Sequence, residues 1–442
     1  MKSSKRKTFH ADGSEFAALL AHAKEESDGN KTLEENYVFH GLYGYDKGVA
    51  KRVLSTGRRR PLTDHEFMEK MLRIRPKDPE RVGLLPFKLN QEQRYVEAQV
   101  LKMQRAGVPV RIIILKPRQI GLSTYVEGRI FTRMSRSRHF RGLIVAHRND
   151  TSKLLLKMSR IMLRNMPKEG EARWRLKTRK SSTYEIAIDE PIEGEFEVSS
   201  SQTEDPGHGD TCQVVQLSEV GLWENAEETA KGVLQILPNL PGTMAFMEST
   251  AKGDHGYFRD MFWSAWEQRH LPFEERTSSW HPIFFPWFFH EEYRWTRTTG
   301  RGRKLPEAII ENIKATITEE EEFLLEQSYH RRGHGLVKVD YDQLAWRRKQ
   351  IDSQLGGSLD KFHEQYPSTP EEAFLASGSP CFDTDKLQRM SKMLAREPLF
   401  RADLLPTAHE IRSQRLPAFI PQLHQAEVFP LDRNRLDRDI ED

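Results

Sequence analysis

Arg111-Ile-Ile-Ile-Leu-Lys-Pro-Arg-Gln-Ile-Gly-Leu-Ser-Thr124 reads as a buried strand, a turn and the first turn of a helix. Residues 112–115 form a short apolar run of the kind a fully covered strand needs, and the helix starts after Gly121. At such a junction the backbone amides point at any anion resting on the helix N-terminus. The standard phosphate-binding loop has the pattern G-x-x-x-x-G-K-[ST] in this setting. Here Gly121 and Ser123 stand for the second glycine and the hydroxyl, Leu122 fills the usual lysine slot, and Lys116 takes the place of the first glycine. Arg118 adds a second cation, and Pro117, Gln119 and Ile120 complete the loop. Residues 116–124 are therefore the expected cradle for ATP. Lys116 and Arg118 are expected to reach the β- and γ-phosphates, and Ser123 to be the Mg²⁺ ligand, with Thr124 as the alternative.

Downstream, two more segments end in polar residues after apolar runs. Val214-Val-Gln-Leu-Ser-Glu219 places an acid where P-loop enzymes keep a carboxylate near the γ-phosphate. Ser218 replaces the first of the usual two acids, so metal contact there is expected to run through water, with Glu219 as general base. Thr243-Met-Ala-Phe-Met-Glu-Ser-Thr-Ala-Lys-Gly253 ends in hydroxyls and glycine. Its Ser249, Thr250 and Gly253 are expected to couple the phosphate state to movement, because ligands of parallel sheets sit at the carboxyl ends of the strands.

Around these motifs, apolar runs at 111–115, 142–146, 213–217 and 243–247 alternate with helices expected from Gly121, Asp150, Ala226 and His255, the pattern of a parallel sheet covered on both faces. Residues 184–188 and 193–198 are expected to form an inserted antiparallel pair. After Phe289 the chain turns charged and helical. The run Glu319–Glu322 suits a solvated first helical turn, residues 341–355 a further helix, and Pro367, Pro370, Gly378 and Pro380 a linker before a helix at 383–396. The 442 residues allow two or three domains. The expected division is a helical extension over 1–85, an ATPase core over 86–290, a helical lid over 291–366 and a linker over 367–442.

Composition excludes several classes. No apolar run nears the roughly 20 residues of a membrane span, and the basic start at Lys2–Lys7 has no apolar segment behind it. Cys212 and Cys381 are too few for a disulfide scaffold or a cysteine zinc site and suit a reducing interior. Net charge is only +3, yet cations cluster at Lys2–Lys7, Arg58–Arg60, Arg133–Arg141, Arg301–Lys304 and Arg331–Arg332. Such clusters can neutralise phosphates, although a solvated surface explains each one singly.

Together, Lys116-Pro-Arg-Gln-Ile-Gly-Leu-Ser123, Gln213-Val-Val-Gln-Leu-Ser-Glu219, Glu248-Ser-Thr-Ala-Lys-Gly253, Leu344-Ala-Trp-Arg-Arg348 and Phe362-His-Glu-Gln-Tyr-Pro-Ser-Thr-Pro-Glu-Glu-Ala-Phe374 resemble the large terminase subunit of tailed bacteriophages. The likeness runs from about Phe87 to Asp383. It implies an α/β fold with a P-loop (RecA/ASCE-like) parallel sheet flanked by helices, a helical N-terminal extension and a small helical lid subdomain. It also implies an Mg²⁺-dependent ATPase that drives double-stranded DNA into a procapsid. The implied partners are the portal protein, the small terminase subunit and further copies in a ring, with no membrane, in the host cell cytoplasm. Gln93, with Gln91 as the alternative, falls where the family carries an adenine-reading glutamine, whose amide both donates and accepts.

Two departures stand out. The family's arginine between glycines is His208 here, and imidazole does not imitate a guanidinium fork. The nuclease domain that follows in the family is not expected, because residues 383–442 offer only a polar tail with Asp432, Asp437, Asp439 and Asp442. The chain is then an isolated ATPase domain, a natural truncation or half of a split gene. A nucleotide-binding assembly module with little hydrolysis is the alternative. A related helicase is a third reading, without the additional helicase motifs after Phe289.

Overall fold

The structure, a computed structural model, describes residues 62–375 apart from 78–80, 167–175, 191, 204–205, 207–210 and 299–302. The cation clusters at 2–7 and 58–60, His208, the helix expected at 383–396 and the acidic tail lie outside the described residues. All described residues belong to one compact unit.

Helix α1 (Asp64–Met71) starts from a capping box between Thr63 and Glu66 and leads to the short antiparallel pair β1 (Arg73–Ile74) and β2 (Leu85–Pro86). Then α2 (Gln91–Arg105), β3 (Val110–Leu115), α3 (Leu122–Met134), β4 (Arg141–Ala146) and α4 (Asn149–Arg164) alternate. Strands β5 (Thr178–Ser181), β6 (Glu185–Ile188), β7 (Glu195–Ser200) and β8 (Val214–Ser218) follow. They lead to α5 (Ala226–Gln235), β9 (Met244–Ser249), α6 (Tyr257–Glu267) and β10 (His281–Phe284).

Eight strands make one sheet in the order β10-β3-β9-β8-β4-β7-β6-β5. From β10 to β7 every pairing is parallel, and β6 and β5 extend the far edge antiparallel. Along β3 the side chains alternate between two cores, Ile112 and Ile114 facing one, Ile113 and Leu115 the other. That period of two is what a strand covered on both faces requires. The α/β class, the parallel sheet and its flanking helices are as expected, with β9 standing between the strand that carries the loop and the strand that ends in the acid.

Several expectations are corrected. The pair expected as an insertion at 184–198 is continuous with the sheet, because β7 runs parallel to β4 from Arg141↔Glu195 to Ala146↔Ser200. Strand β10 was not expected. Pro282 breaks its signal, and an edge position tolerates proline because one side of the ladder needs no donor. Arg133 and Arg136 are not surface cations: α3 is enclosed, and Arg136 is spent on Asp64 at 3.1 Å and lies over the Phe67 ring.

Beyond β10 come α7 (Trp295–Thr298), α8 (Glu307–Ala315), α9 (Glu319–Glu326), the hairpin β11 (Ser328–Arg331) and β12 (Gly335–Lys338), α10 (Tyr341–Gln354), α11 (Leu359–Gln365) and α12 (Pro370–Leu375). The hairpin interrupts a stretch expected to be helical. Nor are the four glutamates that open α9 all solvated. Glu321 is buried and pairs with Arg348 at 2.6 Å, and Glu320 pairs with Arg347 and with His363 at 3.0 Å. The prolines expected to open a linker at 367 instead cap packed structure: Trp287 donates its amide to the Pro367 carbonyl, and Phe374 packs on Phe262 and Trp263 of α6.

Candidate active site at the strand ends

Strands β3, β9 and β8 are neighbours and run parallel, so their carboxyl ends open on one crevice. Leu115 lies beside Ser249 and Ser218 beside Glu248 in the register. The ladder continues one step past each strand: the Lys116 amide donates to the Ser249 carbonyl (3.1 Å), and the Glu219 amide to the Glu248 carbonyl (2.7 Å). Lys116, Glu248 and Glu219 thus emerge side by side.

Their side chains form one network. Lys116 Nζ lies 2.8 Å from Glu219 Oε1 and 3.0 Å from Glu248 Oε2. Burial lowers the proton affinity of Lys116, but the two carboxylates outweigh it and hold the ammonium charged. Burial pushes the Glu219 carboxyl up; Lys116, the Thr250 amide and Arg118 overcome it and keep the group below the usual carboxylate range. Glu219 sits in the left-handed region, at φ 57°, a position costly for a residue with a Cβ. That turn aims its carboxylate back across the strand ends, where Oε2 accepts from the Thr250 amide at 3.3 Å.

Glu248 has no exposed surface, and its Oε1 accepts from Ser218 Oγ at 2.7 Å and from Ser123 Oγ at 3.1 Å. Sequence reading placed Glu248 only inside a motif and gave it no role. The signal was present, since an acid inside an otherwise apolar strand needs a partner, but that partner is named only by the sheet order. Ser249 is used structurally. Its Oγ accepts from the Gly221 amide at 3.0 Å, and a Cβ at Gly221 would stand 2.9 Å from that oxygen, so a side chain there would have to displace Ser249.

Around the loop, Pro117 and Ile120 are buried and Arg118 and Gln119 exposed. The Arg118 amide donates to the Gln365 carbonyl (3.2 Å) and its guanidinium to Gln365 Oε1 (3.1 Å), while its own carbonyl accepts from the Tyr293 hydroxyl. The loop is therefore strapped to α11. Leu122 fills the lysine slot as a core residue, 1% exposed. Thr124 Oγ1 turns towards Met158 of α4, which leaves Ser123 as the loop hydroxyl in the site. Gly121, at φ 83°, is the left-handed turn before α3. Gly253 takes φ 75° in the turn beyond β9.

The adenine-reading expectation meets a different arrangement. Gln93 caps α2 through its Oε1 and donates its Nε2 to the Gly121 carbonyl at 2.7 Å. Gln91 is spent on the Phe289 carbonyl and the Arg332 amide. Both amides thus tie α2 to the loop and to the neighbouring segments, and each keeps a second N–H and a second lone pair.

The hydroxyls of Ser123 and Ser218 and the carboxylates of Glu219 and Glu248 are hard oxygen donors, the set that suits Mg²⁺ rather than a softer metal. Among the described residues, no helix is long and apolar enough to cross a membrane.

No family model and no curated protein matches the chain. Among solved structures, the large terminase ATPase domain of Thermus phage P74-26 is 17% identical over 55% of this chain and 93% of that one, with a TM-score of 0.34. The large terminase of bacteriophage HK97 is 14% identical over 59% of this chain and 53% of its own, at a TM-score of 0.39. That of a thermophilic bacteriophage is 10% identical over 53% and 52%, at 0.33. The chain thus spans about half of each of the last two.

Proposed function

We propose that the chain is the ATP-hydrolysing motor domain of a phage terminase large subunit, driving double-stranded DNA into a procapsid. The observation that carries the hydrolytic reading is the meeting of Lys116, Ser123 and Glu219, with Glu248, at the ends of three adjacent parallel strands. The packaging role rests on the order of motifs in the sequence. Double-stranded DNA, a portal, a small subunit and a ring of copies in the host cytoplasm belong to that role.

In this reading residues 116–124 hold the phosphates, and Ser123 would hold Mg²⁺. The ion would supply positive charge against the phosphates there. Lys116 must leave its two carboxylates to reach a phosphate. Its departure frees Glu219, already ionised and aimed across the crevice, to orient a water and take its proton. Thr250, bonded to Glu219 through its amide, passes the change to the turn at Gly253, while Arg118 passes it to α11.

Glu219→Gln is expected to abolish turnover while ATP binding persists, measured by phosphate release and nucleotide titration on the same preparation. Undiminished hydrolysis in that variant would remove Glu219 from the role of base. The burial of Lys116 between two acids also favours a second reading, a nucleotide-binding assembly module with little hydrolysis. Turnover measured with and without DNA separates the two.

A further inference from the structure

We infer that Glu248, and not Ser218, supplies the acid on the metal side of this site: the carboxylate has moved from the end of β8 to the end of β9. The inference rests on the ATPase reading and extends it. P-loop enzymes set a carboxylate at the end of the acidic strand beside the loop hydroxyl that binds Mg²⁺. That place is Ser218 here. Its hydroxyl donates to Glu248 Oε1 at 2.7 Å, and the loop hydroxyl of Ser123 reaches the same oxygen at 3.1 Å. One oxygen of Glu248 therefore sits where an acid at 218 would have presented its own, one hydrogen bond from Ser123. Gln216 Nε2, at 3.4 Å, is a third and longer contact from the middle of β8.

Charge balance points the same way. Lys116 is shared between two carboxylates, one of them with no exposed surface, and Arg118 is turned to Gln365. That ammonium is shared by both carboxylates, and Arg118 adds its charge near Glu219 rather than Glu248. When Lys116 moves to a phosphate, Glu248 loses its cation altogether. A divalent cation against Ser123 replaces it, and Glu248 positions that cation through Ser123 and water.

The test is binding of a non-hydrolysable ATP analogue, titrated with and without Mg²⁺, with melting temperature recorded for each protein. Glu248→Gln should lose about 10–100-fold of the Mg²⁺-dependent gain in affinity, the usual cost of removing an outer-shell partner. The ratio of the affinities with and without Mg²⁺ is the readout, because the same change also releases Lys116. The double variant Ser218→Asp with Glu248→Ser, which exchanges acid and hydroxyl between the two strands, should regain the gain. Equal losses with and without Mg²⁺ would mean that Glu248 only holds Lys116, and would overturn the proposal. So would a Glu248→Gln protein with undiminished Mg²⁺ dependence, or a folded double variant that stays deficient. Absence of analogue binding by the unsubstituted chain would instead sink the ATPase reading itself.

Discussion

At the scale of single residues, the displaced lysine is the clearest case of sequence and structure agreeing on a place and differing on its state. Lys116 stands at the end of β3, as the loop pattern implies, but it is enclosed and paired with Glu219 and Glu248. Arg118 is exposed and spent on Gln365. Lys116→Ala is therefore expected to lower turnover by about 10²–10³-fold, the range for losing a preorganised charge stabiliser. Arg118→Ala should cost less. A larger loss at Arg118 would transfer the γ-phosphate to it. The same Lys116 variant should also shift the acid limb of the kcat/KM profile, which reports the nucleotide-free enzyme, to higher pH. The cation that holds the Glu219 carboxyl down would be gone, so Glu219 would protonate earlier as pH falls. Leu122 shows why the lysine does not occupy its ordinary slot: position 122 faces the core between α3 and the sheet, where a charge would be buried unpaired.

At the scale of elements, the long apolar strands and the strongly amphipathic helices were legible because their periods are local. Those that escaped notice are short or defined by a neighbour. Strand β10 is four residues with a proline and exists because β3 offers it an edge. Helix α9 opens on acids that seem made for water until Arg347 and Arg348 of α10 are brought against them. The helices after β10 are held to the core by aromatic rings. Trp346 of α10 stacks on Tyr293 at 4.4 Å and on Trp287 at 5.5 Å, with Phe362 of α11 and Tyr366 just after it at its edges. Trp346→Ala is expected to destabilise the fold by about 3–5 kcal/mol, read from urea unfolding. Because α11 carries Gln365, the loss should also loosen the 116–121 loop. A variant as stable as the parent would show that these rings do not hold α10 and α11 in place.

At the scale of the whole molecule, stability should depend on pH through His290, which joins α2 to the segment after β10. Its ring lies 2.6 Å from Glu92 and 3.4 Å from Glu292. Burial lowers its affinity for a proton, but the two carboxylates outweigh burial and raise it to about 9 from the ordinary 6.5. A raised value stabilises the fold fully below pH 6.5, and the contribution is lost as pH rises through about 9. His290→Gln should remove a pH-dependent part on the order of 3 kcal/mol. Melting curves between neutral and alkaline pH should fall for the parent and stay flatter for the variant. Parallel curves would exclude this histidine. The sequence by itself determined the strand–turn–helix at 111–124, the acid at 219, the hydroxyl turn after 249 and the α/β alternation. Each of these is a local pattern of period, turn chemistry or residue type. Only the tertiary structure decided that β9 lies between β3 and β8, and so that Glu248 stands between Lys116 and Ser218. It likewise decided that Gln93 contacts the loop and that Pro367, Ala373 and Phe374 are packed. The reason is physical: strand order and ion pairing join residues more than a hundred positions apart, and no local period records which of them will meet.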